Sequence, residues 1–266
     1  MVGIKCYTKS WIHKLSNAFC HIIKKTTPRI FRANMTMLTS TPIAKQQIAG
    51  LVLAGGRSRR FGSIDKGLQL WRGLPLTEHV VKRLAPQVSK VTISCNNNLQ
   101  RYQQLSKKYR HPYHTQYQPL ILRDSILPAD SGPLSGIFAL LEWYDKKTNH
   151  GDFNTPSHIM VCSCDSPVIP QGLVNDLAKL LDQTNSSAAY PVVGDDHARL
   201  LLLLEVESAT YAMQQTLDAS CQQPANLSVK HWLKRLNTST LSLSGQDIGV
   251  NINYPSDFAK LEQYSS

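Results

Sequence analysis

Within residues 48–69, IAGLVLAGGRSRRFGSIDKGLQ, small, cationic and acidic residues follow one another in an order suited to holding phosphates. Gly55 and Gly56 carry no Cβ, so the backbone there can turn sharply and approach a ligand closely. Arg57, Arg59 and Arg60 set guanidinium groups beside that turn, and Asp65-Lys66 closes the segment. Backbone N–H groups give an anion direction, while Arg and Lys give it countercharge. Taken alone, Gly-Gly after a strand is usually a turn and clustered arginines are a solvated face. Here they share one loop, in order. The loop is neither GxxxxGK[ST] nor GxGxxG, which argues against P-loop NTPases and Rossmann dehydrogenases.

Such a loop must be presented by a rigid element. Ile48 to Ala54 is apolar and short, which predicts a buried strand leading into it. Further strands are expected at Leu68 to Trp71, Val91 to Cys95, Leu120 to Leu122, Ile159 to Cys162, Ala188 to Val193 and Leu200 to Val206. Helices are expected from Pro75 to Val88, from 99 to 109 (polar and exposed), from about Pro133 to Lys146, and from Leu173 to Leu181. Alternating helices and apolar strands predict an α/β fold of three layers with a mostly parallel sheet. The Gly194-Asp195-Asp196 turn before LLLLLEV predicts a hairpin, hence a mixed sheet.

In doubly wound sheets ligands collect at the carboxyl ends of the strands. Those ends carry Gly55-Gly56, Ser94 to Asn96, Asp124 and Asp165. Asp165 alone could equally cap the next helix. Cys162-x-Cys164 lacks two further ligands and reads as core, not as a zinc site. His111 and His114 flank a Pro in a polar loop, a poor setting for a metal. No Ser/His/Asp or Cys/His nucleophile arrangement stands beside a glycine elbow.

LAGGRSRRFGSIDKGLQ resembles the signature of the molybdenum cofactor guanylyltransferases, the MobA family of nucleotidyltransferases, over roughly residues 47 to 264. Asp65-Lys66-Gly67 distinguishes it from the sugar-nucleotide enzymes, which place Pro before the Lys. The resemblance implies a Rossmann-like nucleotidyltransferase fold and transfer of GMP from GTP to molybdenum-molybdopterin, with pyrophosphate released. It implies GTP on Leu53, Ala54, Gly55 and Gly56, with Lys66 and Arg57 against its β- and γ-phosphates. VCSCDSPVIP is similar to the family's metal-binding strand end, so Asp165 would hold Mg²⁺. Asn253, in Asn251-Ile252-Asn253, is similar to a late NxN segment that reaches the same pocket, although a turn before Pro255 explains it as well. Asp124, in RDSILPADSGPLSG, would contact the guanosine, with Asp130 as its rival. Ser94 stands where the family has Asn, while Asn96 matches a second family Asn, so the base contact falls on Ser94 or Asn96. The sequence departs from the family at Asp196-His197-Ala198-Arg199, where a Pro is expected after the His. A cytidylyl or sugar-phosphate specificity and a non-catalytic nucleotide-binding module are the alternatives. Retention of both Lys66 and Asp165 speaks against the last.

Of the 266 residues, the first 46 hold eight Lys/Arg and no Asp or Glu, leaving only +3 of the net +11 for the remainder. The basic balance is therefore no argument for nucleic acid. Residues 1–46 are expected to be a disordered basic extension or to lie upstream of the true start, and 47–266 to be a single domain. Trp11, Ile12, Leu15, Phe19, Ile22 and Ile23 fall at helical spacing, which also fits a transit-like or interfacial helix. The six cysteines show no paired framework, as in a cytoplasmic protein. No run approaches the ~18 apolar residues of a membrane span. Partners beyond the substrates would be molybdoenzyme chaperones or other cofactor-biosynthesis proteins.

Overall fold

The computed structural model describes residues 42–54, 65–108, 120–122, 132–149, 155–222, 227–244 and 251–264, all within one compact unit, Thr41–Ser266. Its centre is β1 (Ile48–Leu53), buried along its whole length. β1 pairs in parallel with β4 (Lys90–Ser94) on one side and β6 (His158–Ser163) on the other. β5 (Leu120–Leu122) extends the sheet in parallel beyond β4. On the far side β9 (Leu201–Glu205) runs antiparallel between β6 and β7 (Ala188–Val193). β8 (Asp196–His197) folds back on β7, and β10 (Thr238–Ser242) runs parallel to β7 at the sheet's edge. The sheet is therefore mixed and mostly parallel, with the expected hairpin after β7.

Period-two alternation divides the core between the two faces. Ile48 and Val52, Met160 and Cys162, and Leu201 and Leu203 face one cluster. This cluster is covered by α1 (Leu76–Leu84), α2 (Leu99–Lys108) and α4 (Leu173–Thr184). Leu51, Ile159, Val161, Leu202 and Leu204 face the other, covered by α3 (Pro133–Asn149), α5 (Val206–Gln222) and α6 (Val229–Leu233). Three layers result, as the patterning predicts.

The differences lie at short elements. The strand expected at Leu68 to Trp71 is a 3₁₀ turn, Lys66–Leu68, followed by a two-stranded ribbon, β2 (Leu70–Trp71) with β3 (Leu74–Pro75). The helix expected to reach Val88 leaves α geometry after Leu84, where Ala85–Gln87 forms a 3₁₀ turn around Pro86. α2 is not wholly exposed: Tyr102, Leu105 and Ser106 are buried. β10, of sequence TSTLS, is too polar to be recognised as a strand from its apolar content. Ile43, read as part of the basic extension, packs on the core and donates its N–H to Asp182 at 3.2 Å.

A third, smaller cluster of Trp71, Leu76, Val168, Ile252 and Leu261 joins the ribbon to the C-terminal segment, which includes α7 (Phe258–Leu261). Ile252 and Leu261 are fully buried. This cluster carries Asn253 to the carboxyl edge of the sheet.

Candidate nucleotide site

The last full row across the parallel strands is Leu122, Ser94, Leu53 and Ser163, adjacent in register. Asn96 and Asp165 stand two residues beyond it. Gly55 and Asp124 have the same offset in sequence but, with Gly56, Arg57 and Asp130, lie outside the described residues. Ala54 donates its N–H to the Ser94 carbonyl at 2.8 Å, and the Leu53 carbonyl accepts from Cys164 at 3.0 Å. These main-chain groups are committed to neighbouring strands. Ser94 is fully buried, with its Oγ 2.9 Å from where a Cβ on Gly136 would sit; Asn96 is exposed.

Lys66 rises from the 3₁₀ turn. Its Nζ lies 2.7 Å from Asp165 Oδ2 and 3.5 Å from Asn253 Oδ1, drawing three distant segments together. The Lys66 and Asp165 side chains are 16% and 20% exposed, so solvent reaches the pair and a ligand can too. The Asp165 carbonyl accepts from Ile252 N at 2.9 Å, and Ser166 Oγ donates to Asn251 Oδ1 at 2.6 Å. Asp257 grips the same segment: its Oδ2 accepts the N–H groups of Asn253 and Tyr254, each at 2.8 Å, and its Oδ1 meets Lys260 Nζ at 2.8 Å. The Lys260 contact, then those amides, hold its carboxyl down at about 2.

Asp65 caps the Lys66 turn. Its Oδ1 accepts from Gly67 N at 3.1 Å and from the Tyr102 hydroxyl at 2.7 Å, while Oδ2 accepts from Asn98 Nδ2 at 2.9 Å. Gly67 has no room for a side chain: a Cβ would lie 2.5 Å from both Thr77 Oγ1 and Tyr102 Oη. Thr77 donates to the Gly67 carbonyl at 2.9 Å. Sequence reasoning missed Tyr102, Thr77, Asn98 and Asp257 as part of this arrangement. The available signal was an Asp two residues before a Gly, the spacing of an Asx turn.

Cys162 and Cys164 are free and buried, and burial pushes both thiols far up. Among the described residues no three His, Cys, Asp or Glu side chains gather as a metal cage. None of the described helices is long and apolar enough to cross a membrane.

The MobA-like NTP transferase domain matches residues 50–244, most of the chain. The chain belongs to that family. A molybdenum cofactor guanylyltransferase from Ralstonia pickettii is 34% identical over 157 residues, covering 59% of this chain and 66% of that protein. A protein of the same description from Cupriavidus necator is 36% identical over 157 residues, covering 59% and 67%. The chain thus spans about two thirds of the curated relatives it matches. The crystal structure of molybdopterin-guanine dinucleotide biosynthesis protein A from Archaeoglobus fulgidus superposes with a TM-score of 0.57 at 22% identity, over 81% of this chain and 97% of that one. That likeness shows the fold.

A nucleotidyltransferase of the MobA-like family typically uses a divalent metal. The donor set fits a hard cation: one carboxylate, Asp165, and one amide oxygen, Asn253, converge on a single positive group. Mg²⁺ takes oxygen ligands and commonly keeps only one or two protein carboxylates beside substrate phosphates and waters.

Proposed function

We propose that the protein transfers GMP from GTP to molybdenum-molybdopterin, forming molybdopterin guanine dinucleotide in the cytoplasm. The observation that carries this reading is the Lys66–Asp165 pair, 2.7 Å apart, beside Asn253 at the carboxyl edge of the parallel strands. The curated relatives named as guanylyltransferases support the choice of nucleotide and acceptor.

Lys66 offers a point charge to the outer phosphates, and the family resemblance gives Arg57 the same part. The family resemblance assigns Leu53, Ala54, Gly55 and Gly56 to the triphosphate. Ser94, Asn96 and Asp124 serve the base side. Asp165, with Asn253, would hold Mg²⁺, which supplies charge neutralisation at the α-phosphate and the departing pyrophosphate. A terminal phosphate oxygen of the acceptor forms a bond to the α-phosphorus. The bond from that phosphorus to the β-bridging oxygen breaks, and pyrophosphate leaves with the electron pair. Such a transfer depends on alignment and charge compensation, so no nucleophile on the chain is required.

The test is incubation of the purified protein with Mg²⁺, molybdopterin-bearing carrier and α-labelled GTP or CTP, followed by product identification. Guanine dinucleotide and pyrophosphate are expected from GTP. No product, or faster turnover of CTP, overturns the guanylyl reading.

A further inference from the structure

Two carboxylates flank the Lys66 turn, and their surroundings give them different work. Asp165 faces the ammonium and a solvent-accessible space. Asp65 is occupied by three donors from separate places: the amide of Gly67, the hydroxyl of Tyr102 and the side-chain amide of Asn98. Tyr102 is fully buried on α2, and burial above all, with the neighbouring Cys164 and Asp65, pushes its phenol far up, so it stays a donor. Asn98 has φ of 53°, and its carbonyl accepts Arg101 N at 2.9 Å and Tyr102 N at 3.2 Å where α2 begins. One carboxylate therefore ties the turn bearing Lys66 to both the start and the first turn of α2. Thr77 also holds the turn from α1, and Thr77 and Tyr102 pack closely around Gly67.

We infer that Asp65 is a positioning residue, clamping the Lys66 turn to the β4–α2 loop so that the ammonium is aimed at the outer phosphates of a nucleoside triphosphate. The inference rests on the nucleotidyl-transfer reading. A long lysine side chain finds one target efficiently only when its backbone is fixed, and this turn is three residues long with little rigidity of its own. The clamp joins the phosphate side of the site to the loop carrying Asn96, on the base side.

Tyr102→Phe removes one of the two side-chain donors and keeps the ring; Asn98→Gly removes the other and retains the left-handed backbone. Each variant, with wild type, is titrated with GTP and with GMP in Mg²⁺ by calorimetry. GTP binding should weaken by about three- to tenfold and GMP by about twofold at most, the size of effect expected when one ordinary hydrogen bond is lost. In a Lys66→Ala background Tyr102→Phe should have no further effect on GTP, because the clamp acts through the ammonium. An unchanged GTP-to-GMP ratio in both variants overturns the inference, as does an undiminished effect of Tyr102→Phe without Lys66. Wild-type protein that binds no GTP overturns the functional reading and this one together. Wild-type discrimination with unaltered variants overturns this one alone.

Discussion

Lys66 Nζ and Asp165 Oδ2 stand 2.7 Å apart although 99 residues separate them in the chain. The pair joins the turn after β1 to the end of β6, two strands that lie side by side in register. Asp165→Asn keeps the shape and removes the charge. Guanylyl transfer should fall by about 100-fold or more, as when one preorganised electrostatic contact is lost, while Tm moves by only about 3 °C or less. Near-normal turnover at saturating Mg²⁺ would remove Asp165 from the metal-holding role.

Lys66→Ala should weaken GTP by about tenfold, corresponding to ~1.4 kcal/mol, and GMP far less, because GMP lacks the outer phosphates. Calorimetric titration of both nucleotides decides this. Equal losses would place Lys66 elsewhere than at the β- and γ-phosphates.

Gly67→Ala places a methyl 2.5 Å from two oxygen atoms that already bond within the turn. The turn or both neighbours must shift, at a cost of about 1–3 kcal/mol. Chemical denaturation should show the loss; a variant as stable as wild type would mean that Thr77 and Tyr102 yield freely.

Asp257 titrates at about 2 instead of its usual 3.8. A carboxyl held low in the folded chain stabilises it above the unfolded value and loses that contribution as pH falls through the folded one. Asp257→Asn should therefore lower Tm at pH 7, and the gap to wild type should narrow between about pH 4 and 2. Melting curves of both proteins across that range check it; a gap independent of pH would assign the effect to packing.

A chain beginning at Met37 should match the 266-residue chain in Tm and in guanylyl transfer. It retains Ile43 and its bond to Asp182 while dropping most of the basic extension. A clear drop in either would show that the removed residues serve the domain.

Much of this arrangement was legible in the sequence because buried parallel strands are long apolar runs, and the residues at the carboxyl end of each run form the ligand edge. Asp165 could be placed at that edge on this ground and Lys66 at the close of the glycine-rich loop, but their direct contact could not. Tyr102 could not, since α2 is polar apart from a few inward positions. Leu68 to Trp71 reads as one short strand because three of its four residues are apolar, whereas Leu68 is drawn into a turn capped by the adjacent Asp65 and held by Thr77 and Tyr102 from farther along the chain. The grip of Asp257 on Asn253 and Tyr254 depends on main-chain bonds that leave no mark on composition.

β9 carries Leu201, Leu202, Leu203 and Leu204 in succession, all buried, and lies between β6 and β7. The outermost strand on that side, β10, is mostly Ser and Thr. In the folded protein the stickiest strand is sealed on both edges, and a polar one faces outward, which guards against edge-to-edge association. During folding the order is reversed: the leucine run can be capped only after β6, some forty residues upstream in sequence, and the β7 hairpin have both come into place. Until then it is a bare, apolar, uncharged template for pairing with another chain. Refolding yield should therefore fall as protein concentration rises, with the lost material in aggregates nucleated on this strand.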